Sequence, residues 1–154
     1  MNYSSYLETP IGILEITASD SAISSILFVT QRHIEQPNPV TEQAVQQLEQ
    51  YFQGTRKTFD LPLNAGGTAF QQKVWNALGE IEYGKTCSYQ HIAKLINNPK
   101  SVRAVGAANG RNPLTIIVPC HRVIGTNGAL TGYASGVDKK AWLLQHEVKF
   151  KKSE

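Results

Sequence analysis

The sequence is short of cysteine: its 154 residues include two, Cys87 and Cys120. Two thiols are too few for a disulfide scaffold, and the N-terminal residues have neither the basic cap nor the apolar core of a secretory signal. No uninterrupted apolar run approaches the length of a membrane span. With 41% hydrophobic and 18% charged residues, the composition is that of a folded chain rather than a disordered one. We therefore expect a cytoplasmic protein that does not engage a membrane.

Metal ligands are also scarce. The N-terminal half contains no cysteine, and the pairs Cys87 with His91 and Cys120 with His121 do not follow a zinc-ligand spacing. We expect no metal and no cofactor, and we interpret Cys87 as a buried thiol.

The net charge of +3 is unevenly distributed. Residues 1–65 hold three Lys and Arg against seven Asp and Glu, a net charge of −4, whereas residues 66–154 hold twelve against five, a net charge of +7. A basic half joined to an acidic half suggests a polyanion as the partner of the basic half. An ordinary solvated surface is the alternative, and charge alone does not decide between them.

The charge balance changes at residues 61–67, which include a proline, an asparagine and two glycines. This stretch predicts a boundary between a strand-rich scaffold domain, residues 1–65, and a second domain, residues 66–154. Within the scaffold domain we predict strands at 3–9, 12–19, 22–30 and 57–61, and a helix that is capped by Thr41 and ends at Gly54.

The second domain shows helix starts in close succession. Thr68 and Gln71 stand at capping-box spacing, and Ser88 and Ser101 are suited to cap two further helices. Two short helices joined by a tight turn, after a longer first helix, resemble a helix-turn-helix unit. We therefore predict an α+β protein, in which a small sheet-plus-helix domain packs on a helical domain with a winged-helix-like helix-turn-helix.

The third of these helices, residues 102–109, has small uncharged side chains apart from Arg103 and Asn109. Small side chains allow a backbone to approach another surface closely, and that surface can be a neighbouring helix. A reader of the DNA major groove would carry more polar side chains. The alternative is a helix that lies in the minor groove with Arg103 as its one long probe.

Nucleophilic chemistry is concentrated in residues 116–124, where apolar runs flank Pro119, Cys120, His121 and Arg122. The apolar runs predict a buried strand. A neighbouring positive charge favours the reactive thiolate, and proline stiffens the approach to it. A buried structural cysteine remains the alternative for a Cys-His pair taken alone.

The C-terminal region offers two further candidates. Residues 125–136 are rich in glycine and contain Tyr133, which is typical of a pocket wall. Asp138 is predicted to cap a last helix that turns Trp142, Leu143 and Leu144 inward. Glu147 falls near the end of that helix, where an anion is mildly unfavourable, so we consider a specific role for it.

The segment Pro119-Cys120-His121-Arg122-Val123 resembles the active-site signature of the O6-alkylguanine-DNA alkyltransferases, also called methylated-DNA–protein-cysteine methyltransferases. The resemblance extends over nearly all of residues 66–148 in the family's order and spacing. It includes Phe70-Gln71-Gln72-Lys73-Val74-Trp75, Tyr83-Gly84, Ser88-Tyr89, Arg103-Ala104-Val105-Gly106, Asn112-Pro113, Gly132-Tyr133, Trp142-Leu143-Leu144 and His146-Glu147.

The resemblance implies a self-inactivating DNA-repair enzyme that flips O6-alkylguanine out of duplex DNA and takes the alkyl group onto Cys120 in a single turnover. It further implies that Glu147 orients His121, which activates Cys120 through a water. Asn112 orders the active-site loops, and Tyr133 hydrogen-bonds the flipped base. The implied partner is double-stranded DNA containing O6-alkylguanine, bound by a monomer.

DNA contacts follow from the same resemblance. Tyr89 helps to rotate the target nucleotide, and Arg103 fills its vacated place in the stack. The remaining predicted DNA contacts are Ser101, Ala104, Arg111 and Arg122, and the remaining predicted pocket residues are Pro119, Asn109, Ala134 and Ser135. Ser135 stands where bacterial members often have a glycine and is expected to narrow the pocket, and Asn109 stands where a bulkier apolar residue occurs.

Two rival functions make different predictions. Alkyltransferase-like proteins share the architecture but lack the acceptor cysteine, and they only flag damage; Cys120 argues against this class. A Cys-His hydrolase of small acyl substrates would turn over and would need no DNA; the basic half and the bare helix argue against it.

Overall fold

The computed structural model describes residues 2–130 and 133–151. The chain forms two compact units, Met1–Gly66 with Pro113–Ile117, and Gly67–Asn112 with Val118–Glu154. Strands and helices are mixed, as expected for an α+β protein. One segment of the basic half, Pro113–Ile117, thus belongs with the acidic half rather than with its own sequence neighbours. None of the helices in the described ranges has the length and apolar character needed to cross a membrane.

The first unit is built on an antiparallel sheet of β1 (Tyr3–Thr9), β2 (Gly12–Ala18) and β3 (Ile23–Val29), in that order. In β2 every second side chain is buried, which is the pattern of a strand with one face on the core. The three predicted strands are confirmed to within a residue at their ends. Residues 57–61 form no strand, because the Gln47 side chain holds the backbone N–H and C=O of Asp60 at 2.9 and 3.0 Å.

Helix α1 (Pro39–Gln53) begins one turn earlier than predicted. Asn38 is the N-cap, its side chain accepts from the Thr41 N–H at 2.9 Å, and Thr41 completes a capping box. Thr41 is therefore the third helical residue and not the cap, because Pro39 at the first position fits the helix without an N–H. Gly54 ends the helix at φ 84°, as predicted.

The second unit begins with α2 (Ala69–Leu78), whose predicted capping box between Thr68 and Gln71 is confirmed. Ser88 caps α3 (Tyr89–Leu95) by accepting from the His91 N–H at 3.0 Å. Helix α4 (Val102–Gly110) follows after a tight turn. Ser101 precedes α4 but makes no capping hydrogen bond; its hydroxyl donates to the Asn98 carbonyl instead. Helices α3 and α4 form the helix-turn-helix.

The predicted buried strand over residues 116–124 is wrong. The chain bends at Ile116, a buried β-branched residue with φ 75°, which is a strained conformation. Cys120–Arg122 then form one turn of 3₁₀ helix. A two-residue strand remains, β5 (Val123–Ile124), which pairs in parallel with β4 (Cys87–Ser88).

The last helix, α5 (Val137–Lys151), includes Asp138 in its first turn, so Asp138 is not the residue before the helix. Of the three residues predicted to face inward, Leu143 is fully buried and Trp142 and Leu144 are half-buried. The fully buried positions Lys140, Leu143 and Glu147 are spaced by three and four residues, which places them on one face of the helix.

Candidate active site

Glu147 lies at the centre of the site. Its side chain has no exposed surface and accepts hydrogen bonds from His121, Arg122 and Gly84. Oε2 of Glu147 lies 2.7 Å from His121 Nε2 and 3.0 Å from Arg122 Nη2. The other oxygen, Oε1, lies 2.8 Å from Arg122 Nε and 3.2 Å from the backbone nitrogen of Gly84. Burial by itself raises the pKa of Glu147, but the hydrogen bonds from His121 and Arg122 and the positive charge of Arg122 outweigh burial and hold the pKa well below its usual range. Glu147 is therefore a carboxylate at neutral pH.

His121 is fully buried in the 3₁₀ turn. Burial lowers its pKa, Arg122 and Lys140 lower it further, and Glu147 acts in the opposite direction. The imidazole is therefore neutral at pH 7. Because Nε2 faces a carboxylate, Nε2 carries the proton and Nδ1 is the basic nitrogen. Nδ1 is buried and has no hydrogen-bond partner among the residues that the structure describes.

Cys120 is 5% exposed and begins the 3₁₀ turn. Asn112 Nδ2 donates to Sγ at 3.2 Å and to the Val118 carbonyl at 2.8 Å, so one amide holds both the thiol and the chain that leads to it. Burial raises the pKa of the Cys120 thiol, and the Asn112 hydrogen bond and the Lys140 charge oppose that rise. Both groups favour the thiolate at the moment when it must form.

Lys140 is a member of the site that the sequence did not point to. It has no exposed surface, and Nζ lies 5.8 Å from the centre of the Tyr89 ring. Burial lowers its pKa, and the charge on Cys120 raises it. Lys140 lies seven residues before Glu147, which places both on the same face of α5. Helical spacing could therefore have indicated that Lys140 lies near the site.

Two asparagines connect α4 with the thiol segment. Asn109, predicted to line the pocket, is 1% exposed, and its Nδ2 donates to the Cys120 carbonyl at 3.4 Å. Asn112 follows one turn later and contacts Sγ. The Trp75 indole N–H donates to the Ala108 carbonyl at 2.9 Å, which fixes the end of α4 against α2.

Tyr133 is 8% exposed, and its hydroxyl has no hydrogen-bond partner in residues 2–130 and 133–151. Burial raises its pKa, so the phenol is neutral and can donate. Of the other predicted pocket residues, Pro119 is buried, Ser135 is half-buried and Ala134 is exposed. Thr131 and Gly132, part of the predicted pocket wall, lie outside the described residues.

Arg122 does not lie where the sequence placed it. It was predicted to contact DNA, but its side chain is 8% exposed and its guanidinium binds Glu147 and the Ile81 carbonyl, the latter at 2.7 Å. A guanidinium that is engaged in this way is not presented to a phosphate at the surface. Its predicted DNA contact finds no support in this placement, because the carboxylate of Glu147, buried on α5, holds the guanidinium as its partner.

The other predicted DNA contacts lie on or beside α4. Arg103, Ala104 and Arg111 are exposed, and Ser101 and Tyr89 are half-buried. The Tyr89 ring packs at ordinary contact distance from the position that a side chain would occupy at Gly106. The exposed face of α4 therefore has small side chains and one long cation, as the sequence indicated.

Metal ligands do not cluster in this site. In the described ranges no group of three or more His, Cys, Asp or Glu side chains is arranged to hold a metal ion.

A helix-turn-helix next to a buried Cys-His-Glu arrangement defines a class of proteins in which a thiol nucleophile accompanies a DNA-binding motif. The sequence matches the profile of the 6-O-methylguanine DNA methyltransferase DNA-binding domain over residues 69–149, and that of its ribonuclease-like domain over residues 2–65. The chain belongs to the 6-O-methylguanine DNA methyltransferase family.

Individual relatives are similar over their whole length. The constitutive methylated-DNA–protein-cysteine methyltransferase of Bacillus subtilis is 51% identical, with 96% of each chain covered, and that of Methanosarcina acetivorans is 50% identical, with 94% of this chain and 97% of the relative covered. The crystal structure of the Mycobacterium tuberculosis O6-methylguanine methyltransferase superposes with a TM-score of 0.90 at 42% identity, covering 100% of this chain and 97% of that one. A structure of the mycobacterial protein in complex with DNA gives 0.86 at 45% identity, covering 94% and 92%.

Proposed function

We propose that this protein repairs O6-alkylguanine in double-stranded DNA by moving the alkyl group onto Cys120, once per molecule. The observation that carries the proposal is the placement of the Cys120 thiol against the Asn112 amide, in the same turn as an imidazole that Glu147 orients. Membership of the methyltransferase family supports the same reaction. Localisation in the cytoplasm is part of this proposal.

The reaction needs one proton transfer and one substitution. His121 Nδ1 takes the thiol proton through a water, and Glu147 stabilises the imidazolium. The Cys120 sulfur forms a bond to the alkyl carbon as the bond from that carbon to O6 breaks, and the electron pair of the broken bond stays on the guanine oxygen. The proton then passes to the guanine, so the products are guanine and a neutral thioether on Cys120.

Tyr133 and Asn112 have supporting roles in this proposal. The neutral Tyr133 phenol donates to the flipped base, and Asn112 stabilises the thiolate through its amide N–H. The thioether is not an ester that water can cleave. The protein is therefore consumed in one turnover, which distinguishes the proposal from a Cys-His hydrolase.

DNA binding is assigned to α4 and its surroundings. A base inside a duplex cannot reach a buried thiol and must be extruded. The bare exposed face of α4 suits the minor groove, with Arg103 entering the stack and Tyr89 rotating the nucleotide. Ser101, Ala104 and Arg111 are assigned to the surrounding backbone contacts.

Intact-mass spectrometry tests the proposal directly. After incubation with a duplex that contains one O6-methylguanine, we expect the protein to gain the mass of one methylene group, with no further gain when excess duplex is added. A matched duplex with unmodified guanine is the control. A protein that binds the damaged duplex without gaining mass would belong to the alkyltransferase-like class, and one that turns over a small ester would be a hydrolase.

A further inference from the structure

The Arg122 guanidinium makes more contacts than a surface cation does. It binds both oxygens of Glu147, with Nε at 2.8 Å from Oε1 and Nη2 at 3.0 Å from Oε2, and Nη1 donates to the Ile81 carbonyl at 2.7 Å. The Tyr83 ring lies 5.6 Å from the guanidinium carbon. Two parallel N–H bonds to one carboxylate fix its orientation as well as its charge.

We propose that Arg122 is a positioning residue for alkyl transfer: it fixes the Glu147 carboxylate and keeps His121 as a neutral base. This inference rests on the proposed function, because it names the condition under which His121 can accept the thiol proton. It replaces the DNA contact predicted for Arg122 with a role inside the site.

The charge balance of the buried cluster supports this role. The positive charge of Arg122 and the negative charge of Glu147 cancel. The group formed by Arg122, Glu147 and His121 is therefore neutral when the imidazole carries no charge. Without the arginine, the carboxylate would be buried with the imidazole as its nearest neighbour, and an uncompensated buried charge is strongly unfavourable. Protonation of His121 removes that imbalance. A protonated imidazole has donors on both nitrogens and cannot accept a proton from the thiol.

The other titratable groups near Glu147 and His121 do not replace Arg122 as the cation bound to Glu147. Lys140 is on α5 and acts on both His121 and Cys120, so it is present with or without the arginine. Tyr83 and Tyr133 lie near Glu147, but burial raises the pKa of both phenols, that of Tyr83 to about 12, and they stay neutral. Arg122 is therefore the cation that is hydrogen-bonded to Glu147 in the described ranges.

The test is the pH dependence of the single-turnover rate for wild type, Arg122→Gln and Arg122→Lys, from about pH 5.5 to 9, at saturating duplex with O6-methylguanine. Saturation removes differences in DNA affinity. In Arg122→Gln, the midpoint of the acid-side fall in rate is expected to rise by about 1–3 pH units, the range for loss of an opposite charge at contact distance. Arg122→Lys keeps the charge but not the two parallel bonds, so we expect a lower rate with an unmoved midpoint.

The outcomes separate the inference from the proposed function. If wild type gains no methyl group, the proposed function fails. If wild type reacts and Arg122→Gln has the wild-type midpoint, the positioning role of Arg122 is overturned, whatever the loss in rate. If Arg122→Gln shows no cooperative unfolding transition, Arg122→Lys decides: a lower rate with an unmoved midpoint supports the inference, and a wild-type rate or a midpoint raised by more than one unit overturns it.

Discussion

Cys120 and Cys87 are two thiols in different surroundings, and the difference decides which one reacts. The Asn112 amide and the Lys140 charge act on Cys120 against the effect of burial. Cys87 is half-buried rather than buried as expected, and burial raises its pKa to about 11, with no compensating group among the residues that the structure describes. Cys87 is therefore a thiol at neutral pH, whereas Cys120 is provided with groups that favour its thiolate.

Cys120→Ala should therefore abolish the methyl gain while leaving affinity for alkylated duplex intact, and Cys87→Ala should transfer at a rate close to that of wild type. Intact mass and a gel-shift titration measure the two quantities. A methyl group found on Cys87 by peptide mapping of the wild-type protein would contradict the assignment.

Lys140 supplies a second prediction for a single residue. Its positive charge lowers the pKa of the Cys120 thiol, so its removal raises that pKa and reduces the thiolate fraction at any pH below it. Lys140→Met should slow transfer at neutral pH by about tenfold for each unit by which the pKa rises, and the loss should shrink as the pH increases.

The matched control is Lys149→Met, which removes the same charge from an exposed position on the same helix. Single-turnover rates across pH measure both variants. A loss in Lys140→Met that is the same at every pH, or one that Lys149→Met shares, would show that Lys140 serves packing or DNA attraction rather than the thiolate.

Among the elements, α4 joins the surface proposed to face DNA to the segment that holds Cys120. Its exposed side carries Arg103, and its C-terminal end contributes Asn109, which donates to the Cys120 carbonyl. The starts of α2 and α3 could be predicted from capping residues, because Thr68, Gln71 and Ser88 act within one turn of their own positions.

The reactive segment itself could not be predicted, because its conformation depends on distant partners. Apolar residues around Cys120 indicated a strand, but Ile116 takes a positive φ and the chain coils into a 3₁₀ turn. Arg122 is buried because it binds Glu147, which is 25 residues away in the sequence. Sequence periodicity carries no information on a contact between two residues so far apart. The adjacency of Cys120 and His121 and the place of Glu147 near a helix end singled them out, and the family resemblance supplied their roles, whereas Lys140 was missed.

Arg103 gives the prediction that belongs to α4. If this side chain compensates for the extruded base, and provided that the pocket admits O6-benzylguanine beside Ser135, Arg103→Ala should slow repair of duplex DNA far more than reaction with that free base, since the free base needs no flipping. Arg111→Ala removes an exposed charge just after the same helix and is the matched control.

The two substrates are compared by single-turnover rates at saturating DNA. Arg111→Ala should weaken binding without changing the saturated rate. Equal losses on both substrates for Arg103→Ala would rule out an intercalating side chain and leave Arg103 with a structural role.

At the scale of the whole molecule, charge is divided between the two halves of the sequence. The net charge is −4 over residues 1–65 and +7 over residues 66–154, and the second range holds the helix-turn-helix. Phosphate neutralisation by such a surface releases counterions, so the logarithm of the affinity should fall linearly with the logarithm of the salt concentration. The minor groove distinguishes bases poorly, so the affinity should vary little with flanking sequence.

Fluorescence anisotropy with labelled duplexes, from about 50 to 200 mM salt, measures both effects. Each phosphate contact that is lost should reduce the slope by about one, so Arg111→Ala should give a shallower line than wild type. The rate with free O6-benzylguanine is the internal control and should not follow salt, because that substrate carries no phosphate. An affinity that is unchanged by salt, or a strong preference for one flanking sequence, would contradict minor-groove binding, since recognition would then depend on contacts to base edges rather than on the backbone.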